Sequence, residues 1–401
     1  MGSTASGPGA VEPVRDWKTN TGLILGWQVA ASICFYTVYV IPTFVQDDFG
    51  VSTTLVGFML TAMMLGYTAF LVPVGAITDL HGESRMLTLG LVGLAGSVVA
   101  ITLAPSYLVV LATVFVLGAF YATAMPGTNK AVFNAIPHDR LNTAMGIKQV
   151  GVTAGSGISA IVVPWFAATR WGWQGGLVAT GLFAIVVSAV FWIVYRDGGS
   201  GSDGDRGGIT AHFSNLPYVV LTASGFFLGA GLFTMIGYTI LFLEESVGAG
   251  VFFAGVALAG AQVFGSAGRV IFGWLADRLS GPLTTATLRI LVLQAGASVP
   301  LFLAVTVVDS PIVALVLFCA LGFFILGFTG VYYSCIGSIV DAEEMGSATA
   351  GGQIALNSGA LLAPPTFGFL VDTLHYRAAW TMLAAGAFVA FLLLVSLLRR
   401  Y

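Results

Sequence analysis

Gly75-Ala-Ile-Thr-Asp79-Leu80-His81-Gly82-Glu83-Ser84-Arg85 and Gly273-Trp-Leu-Ala-Asp277-Arg278-Leu279-Ser280 lie 198 residues apart in a chain of 401. Each places a glycine and, four positions on, an aspartate at the close of a long apolar run, 54–78 in the first case and 251–276 in the second. At the same offset Phe44 answers Phe242 and Asp47 answers Glu245. Two hundred residues apart, Met145-Gly146, Gly151 and Pro164 answer Met345-Gly346, Gly351 and Pro364. An ordered series at near-constant offset reads as duplication of a unit half the length of the chain.

The composition says where that unit lives. Charged residues are 8% of the chain and hydrophobic residues 57%, with a mean hydropathy of +0.94. A soluble chain carries about 25% charged residues, so most of this surface faces lipid or other helices. A bilayer-spanning helix needs roughly 20 apolar residues. Twelve such runs are present: 23–45, 54–78, 86–103, 107–126, 144–168, 173–195, 217–243, 251–276, 288–308, 311–335, 348–371 and 378–398. The expected fold is all-α and integral to the membrane: twelve transmembrane helices in two pseudo-symmetric six-helix bundles.

The boundaries follow. Residues 1–22 read as a polar tail, 23–195 as the first bundle, 196–215 as a linker and 216–401 as the second bundle. The linker contains Asp197-Gly-Gly-Ser-Gly-Ser-Asp-Gly-Asp-Arg206, a composition typical of flexible chain. With the tail and both ends of the chain in the cytoplasm, eleven of the fifteen Lys and Arg fall on the cytoplasmic side. Arg170 and Arg377 fall outside, and Lys148 and Arg269 lie within spans. That asymmetry obeys the positive-inside rule and predicts a multi-pass protein of the cell (plasma) membrane.

Several function classes drop out. A net charge of −3 with scattered bases is no nucleic-acid footprint. Cys34, Cys319 and Cys335 sit in apolar runs, so neither a disulfide framework nor a zinc site is expected, and no cofactor is. No Gly-x4-Gly-Lys-Ser/Thr loop is present, so ATP does not drive this chain. An intramembrane enzyme would need a catalytic dyad or metal ligands within spans, and the acids and histidines lie in tails, loops or span ends.

The paired loops resemble those of the major facilitator superfamily, whose motif is Gly-x-x-x-Asp-Arg-x-Gly-Arg-Arg between spans two and three. Gly75, Asp79, Gly82 and Arg85 fit it, and Leu80 replaces the first Arg. The second copy keeps Gly273, Asp277 and Arg278, with Ser280 where the second glycine would stand. The resemblance covers Leu23 to about Arg399 and implies a transporter that works by alternating access; the chain is expected to act as a monomer. It gives Asp79 and Asp277 a gating role at the cytoplasmic helix ends; helix capping is the plainer alternative.

Ionisable groups inside a bilayer cost roughly 2.5–3.5 kcal/mol each on the insertion scale, so they usually mark function. Here they are Lys148 in span five and Arg269 in span eight, each eight residues from a charged residue at the cytoplasmic end, Arg140 and Asp277. In the superfamily, spans five and eight face each other between the halves, which implies two cations at equal depth on opposing walls. With no acid to neutralise them, an anion is the natural counter-ion. Arg presents a planar fork suited to a carboxylate and Lys a point charge, so the expected substrate is a small organic anion, a mono- or dicarboxylate. Lys148 could instead snorkel to the headgroups, and Arg269 could bond backbone carbonyls around Gly265 and Gly268.

The cations resemble most those of the oxalate/formate exchanger and monocarboxylate carriers, which keep an Arg in span eight. The exchanger's companion Lys in span eleven is absent from Thr349-Ala-Gly-Gly-Gln353-Ile-Ala-Leu-Asn357; Lys148 stands in the pseudo-symmetric span five. Met145-Gly-Ile-Lys148-Gln149-x-Gly151 also resembles cyanate-type carriers. Other cavity candidates come from polar stripes at helical spacing: Gln28, Ser32, Tyr36, Tyr39 and Thr43 on span one, Gln262 and Ser266 beside Arg269, Gln353 and Asn357 on span eleven, and Tyr332 and Tyr333 on span ten. Lys148 shares its face with Gly151, Gly155 and Ser159, small residues that allow close helix approach. An anion bridging two like charges would favour exchange over uniport. The alternative is a carrier of a neutral or cationic solute with Lys148 and Arg269 structural; a channel or sensor is more remote.

Overall fold

A computed structural model describes residues 17–137, 141–195, 214–340 and 345–401, without the side chains of Asp79, Leu141, Asn142, Thr143, Met345 and Gly346. Among these residues twelve helices are long and apolar enough to cross a membrane, from 20 to 30 residues each. Helices are the answer to such a sequence because hydrocarbon offers no partner for backbone N–H and C=O groups. The first half holds α1 (Trp17–Tyr39), α2 (Thr53–Thr78), α3 (Glu83–Thr102), α4 (Tyr107–Ala135), α5 (Ala144–Ala167) and α6 (Gly172–Val194). The second holds α7 (Leu216–Glu245), α8 (Val251–Arg278), α9 (Leu283–Val305), α10 (Pro311–Gly337), α11 (Ser347–Thr373) and α12 (Tyr376–Leu398).

The duplication read from the loops is visible in the packing. In the first half α1 packs on α5, α2 on α4 and α3 on α6; in the second, α7 packs on α11, α8 on α10 and α9 on α12. The small face of α5 serves this purpose: a Cβ at Gly155 would lie 2.7 Å from the Val29 carbonyl oxygen of α1. In the second half a ring cluster around Trp380 fills the core, with Phe367, Phe242 and Phe318 at 5.0, 5.3 and 5.7 Å between centroids.

The paired loops are built alike, with one shift. Gly82 joins α2 to α3 at φ 84°, and Gly281 joins α8 to α9 at φ 115°. Both angles belong to glycine. The second copy therefore keeps its turn glycine one place later than the motif suggests, just past Ser280. Asp277 and Arg278 are exposed at the end of α8, with the Arg278 guanidinium 4.1 Å from the Trp274 ring centroid. The proposed gating contact of Asp79 lies outside the described side chains, as do Arg140 and linker residues 196–213.

Four span boundaries differ from the hydropathy reading by five residues or more: α1 starts at Trp17, inside the expected tail, rather than at 23, α9 starts at Leu283 rather than at 288, and two others differ for chemical reasons. The first span ends at Tyr39 rather than at residue 45, because Pro42 opens a separate short helix, Pro42–Phe49. The fourth runs to Ala135 rather than 126. Its last part, Ala124-Met-Pro-Gly-Thr-Asn-Lys-Ala, is too polar to count as a span but continues the helix after a break. Pro126 lacks an N–H and its ring crowds the carbonyl of residue 122, so helix Tyr107–Tyr121 stops and Ala124–Ala135 resumes beyond Ala122 and Thr123. The pseudo-symmetric α10 is also interrupted, by a widened π turn at Gly322–Leu326.

The halves meet at the end of the bundle away from the termini, called here the far end. Asp372 of α11 accepts from the Thr53 and Thr54 backbone N–H groups at the start of α2, at 2.9 and 2.7 Å. Tyr238 of α7 donates toward the Thr53 and Pro364 carbonyls, at 3.0 and 2.9 Å. Thr61 bonds the Leu361 carbonyl at 2.6 Å, and a Cβ at Gly255 of α8 would lie 2.2 Å from the Ala160 carbonyl of α5.

Candidate functional site

A cavity of about 380 Å³ lies between the halves, walled by α1, α2, α4 and α5 on one side and α7, α8, α10 and α11 on the other. Its lining falls on the tail side of every contact just described: Met64 and Tyr67 follow Thr61, Gln353 and Leu356 precede Leu361, and Ser266 and Arg269 follow Gly255. The far end is closed above it, and the cavity extends to exposed Gln149, Val150 and Val270 where α5 and α8 part.

Both buried cations line this one cavity. Lys148 is 3% exposed and its ammonium donates to the Asn129 side-chain oxygen on the resumed part of α4. Arg269 is half-buried, and its Nε donates to the Leu326 carbonyl in the π turn of α10 at 3.1 Å. The interrupted helix of each half thus supplies one oxygen to that half's neighbouring cation, and both oxygens are neutral. Anchoring Arg269 through Nε leaves the two terminal NH2 groups of the fork without a protein partner among the described residues. Buried charges are normally paired, and neither of these two cations has an acidic partner among the described residues. Tyr36 and Tyr333 line the same cavity as Arg269.

The rest of the wall is aromatic on the first half. Phe35 stacks on Tyr121 at 3.9 Å, Tyr67 lies 5.6 Å from Tyr121, and Phe233 closes the side toward α7. The Tyr121 hydroxyl lies 3.3 Å from Ser32, which accepts from Gln28 at 3.2 Å. On the second half the Tyr333 hydroxyl donates to Gln353; Gln353 donates to Asn357 at 2.8 Å, and Asn357 donates to Thr68 of α2 at 3.2 Å. A polar chain thus leads from the cavity wall to the interface between halves.

Of the residues expected here from sequence, Lys148, Arg269, Ser266, Gln28, Tyr36 and Gln353 line the cavity. Ser32 and Asn357 stand behind its walls, fully buried. Tyr332 bonds the Gly352 carbonyl at 3.2 Å while its neighbour Tyr333 faces the space. Tyr39 and Gln262 are buried outside the lining, each with a polar atom lacking a partner, and Thr43 is buried in the short helix beyond α1. Sequence reasoning missed Asn129, Tyr67, Tyr121 and Thr329. Isolated polar residues inside apolar runs were the available signal for the last three; Asn129 fell in a stretch read as loop.

The comparisons with known proteins agree with the geometry. The sequence profile of the Major Facilitator Superfamily matches residues 24–361. The chain is 23% identical over 365 residues to the hexuronate transporter of Bacillus subtilis (strain 168), covering 86% of this chain and 85% of that one. It is 27% identical over 257 residues to monocarboxylate transporter 13 of Rattus norvegicus, covering 62% of this chain and 58% of the other. Among solved structures, a bacterial homologue of the human lysosomal transporter Spinster, in an inward-facing and occupied conformation, superimposes with a TM-score of 0.77 at 16% identity, over 96% of both chains. With a duplicated twelve-helix bundle, a cavity between its halves and the family's profile over most of its length, the chain belongs to the Major Facilitator Superfamily of membrane transporters.

Proposed function

We propose that the chain carries an organic carboxylate across the cell membrane by alternating access, with Arg269 and Lys148 as its counter-ions. One observation supports this above the others: two cations, Lys148 buried and Arg269 half-buried, line a single cavity between the halves, and each is held by a neutral oxygen rather than by an acid. The free fork of Arg269 suits a carboxylate, Lys148 adds a second positive group, and Tyr36, Tyr333, Gln28 and Gln353 supply hydrogen bonds to the body of the solute. At about 380 Å³ the cavity is within the size of small-molecule sites and roomier than formate or oxalate requires. The names of two relatives, a hexuronate and a monocarboxylate transporter, widen the candidate range to sugar acids. With the basic tail end in the cytoplasm, the closed far end is the outside, and the described state is open inward.

An empty cavity closing around two uncompensated charges bears their desolvation cost; a bound anion relieves it. That asymmetry favours exchange. The test is thermal stability of the purified protein in detergent at constant ionic strength, against D-glucuronate, D-galacturonate, L-lactate, malonate and oxalate, with Arg269→Gln in parallel. An anion at a hundred times its dissociation constant stabilises by about 2.7 kcal/mol, and Arg269→Gln removes the effect. Equal stabilisation of wild type and variant overturns the assignment.

A further inference from the structure

The anion reading rests on charge that the protein itself leaves unbalanced, and one side chain decides whether it stays so. We propose that Asn129 is a specificity-determining residue: it positions the Lys148 ammonium through a neutral oxygen, so the cavity keeps a positive charge that only a bound anion can balance. This inference rests on the proposed function above.

Lys148 is 3% exposed, and its hydrogen bond among the described residues goes to Asn129. An ammonium can only donate, so the amide must present its oxygen to it. The NH2 of Asn129 then points elsewhere and adds donors, not acceptors, beside the cation. Aspartate has the same shape as asparagine and would make the same contact, but as a buried ion pair. The local charge would fall to zero, and an incoming carboxylate would have to displace an internal one. A single amide nitrogen in place of an oxygen therefore separates a cavity with two unbalanced positive charges from one with only that of Arg269.

Asn129 reaches Lys148 because α4 is broken. It lies on the segment Ala124–Ala135 that resumes after the interruption caused by Pro126, beside the cavity-lining Ala124 and Met125. Its neighbour Lys130 is directed away, to the Thr78 carbonyl at the end of α2 at 3.1 Å. The second half repeats the device with different atoms: the Leu326 carbonyl holds Arg269 without neutralising it. Two cations anchored by neutral oxygens from pseudo-symmetric interrupted helices describe one common solution to holding a buried positive charge.

The test is initial-rate uptake of radiolabelled D-glucuronate and of L-lactate into proteoliposomes by wild type, Asn129→Asp, Asn129→Ala and Arg269→Gln. Asn129→Asp is expected to raise KM at least tenfold, with the rate at saturation within about twofold of wild type and thermal stability unchanged or higher. Asn129→Ala keeps the charge and loses the anchor, so its KM rises by a smaller factor, about threefold, at an unchanged saturating rate. A wild-type KM in Asn129→Asp overturns the inference. If that variant does not fold, Asn129→Ala decides, and an unchanged KM there overturns it equally. Loss of uptake in Arg269→Gln together with wild-type KM in both Asn129 variants sinks this inference alone. Undiminished uptake in Arg269→Gln, or no uptake of either anion by wild type, sinks the anion reading and this inference with it.

Discussion

At the scale of single residues, the two cations are not equivalent. Arg269 spends its Nε on the Leu326 carbonyl and keeps its fork for the cavity; a lysine there would keep the charge and lose both features. Arg269→Lys is therefore expected to weaken anion affinity tenfold or more, about 1.4 kcal/mol, read as a shift in the dissociation constant. Gln353 is the polar residue that ties the cavity to the interface, through Asn357 to Thr68. Thr68→Val cuts the last link without touching the cavity lining, so it should alter the rate of transport at saturation more than the affinity measured by thermal shift. Tyr333 rather than Tyr332 lines the space, a distinction of one residue, or about 100° around a helix.

At the scale of elements, the interruptions of α4 and α10 matter more than the regular stretches. Interrupted or widened helical turns recur at functional sites, and each of these brings one oxygen to one cation. Replacing Pro126 with alanine restores an N–H at the break and allows α4 to run straight. The expected result is a less well held Lys148, seen as an anion KM increased about threefold, with stability unchanged or raised. The loop glycines belong to the same scale. Gly82 has φ 84° and ψ 154°, a region open essentially to glycine alone, where other residues store about 1–3 kcal/mol. Gly82→Ala should lower the melting temperature without changing anion affinity, because the turn is remote from the cavity.

At the scale of the whole molecule, the described state is defined by closure at one end. Asp372 sits where the positive end of the α2 dipole lies, accepting from two of its unpaired N–H groups. A carboxylate at a helix N-terminus stabilises by about 0.3–1 kcal/mol, up to about 2 in favourable geometry. Because the carboxylate belongs to α11 and the helix to the other half, that energy holds the far end shut. Asp372→Ala should shift the population toward the state open at the far end, by up to about thirtyfold at 2 kcal/mol. Spin labels on Gly50 and Leu374, replaced by cysteine, would report a longer distance in that variant; an unchanged distribution would mean that Tyr238 and the α2–α11 packing suffice.

The linear sequence determined the class, the span count, the duplication and the identity of the two cations. Those properties follow from hydropathy summed over about 20 residues, from a repeat at fixed offset and from the high cost of charge in hydrocarbon, none of which needs knowledge of neighbours. Lys148, Arg269, Ser266 and Gln353 were legible for the same reason: a polar group in a span is costly wherever the chain goes. The tertiary structure alone decided what each cation is bonded to, which face of α10 meets the cavity and which end of the bundle is closed. Asn129 and Leu326 come into play through breaks in α4 and α10, and Asp372 finds its partner 319 residues away. Such contacts depend on the packing of helices from distant parts of the chain, and a helix's own periodicity does not reveal which neighbour will supply an oxygen.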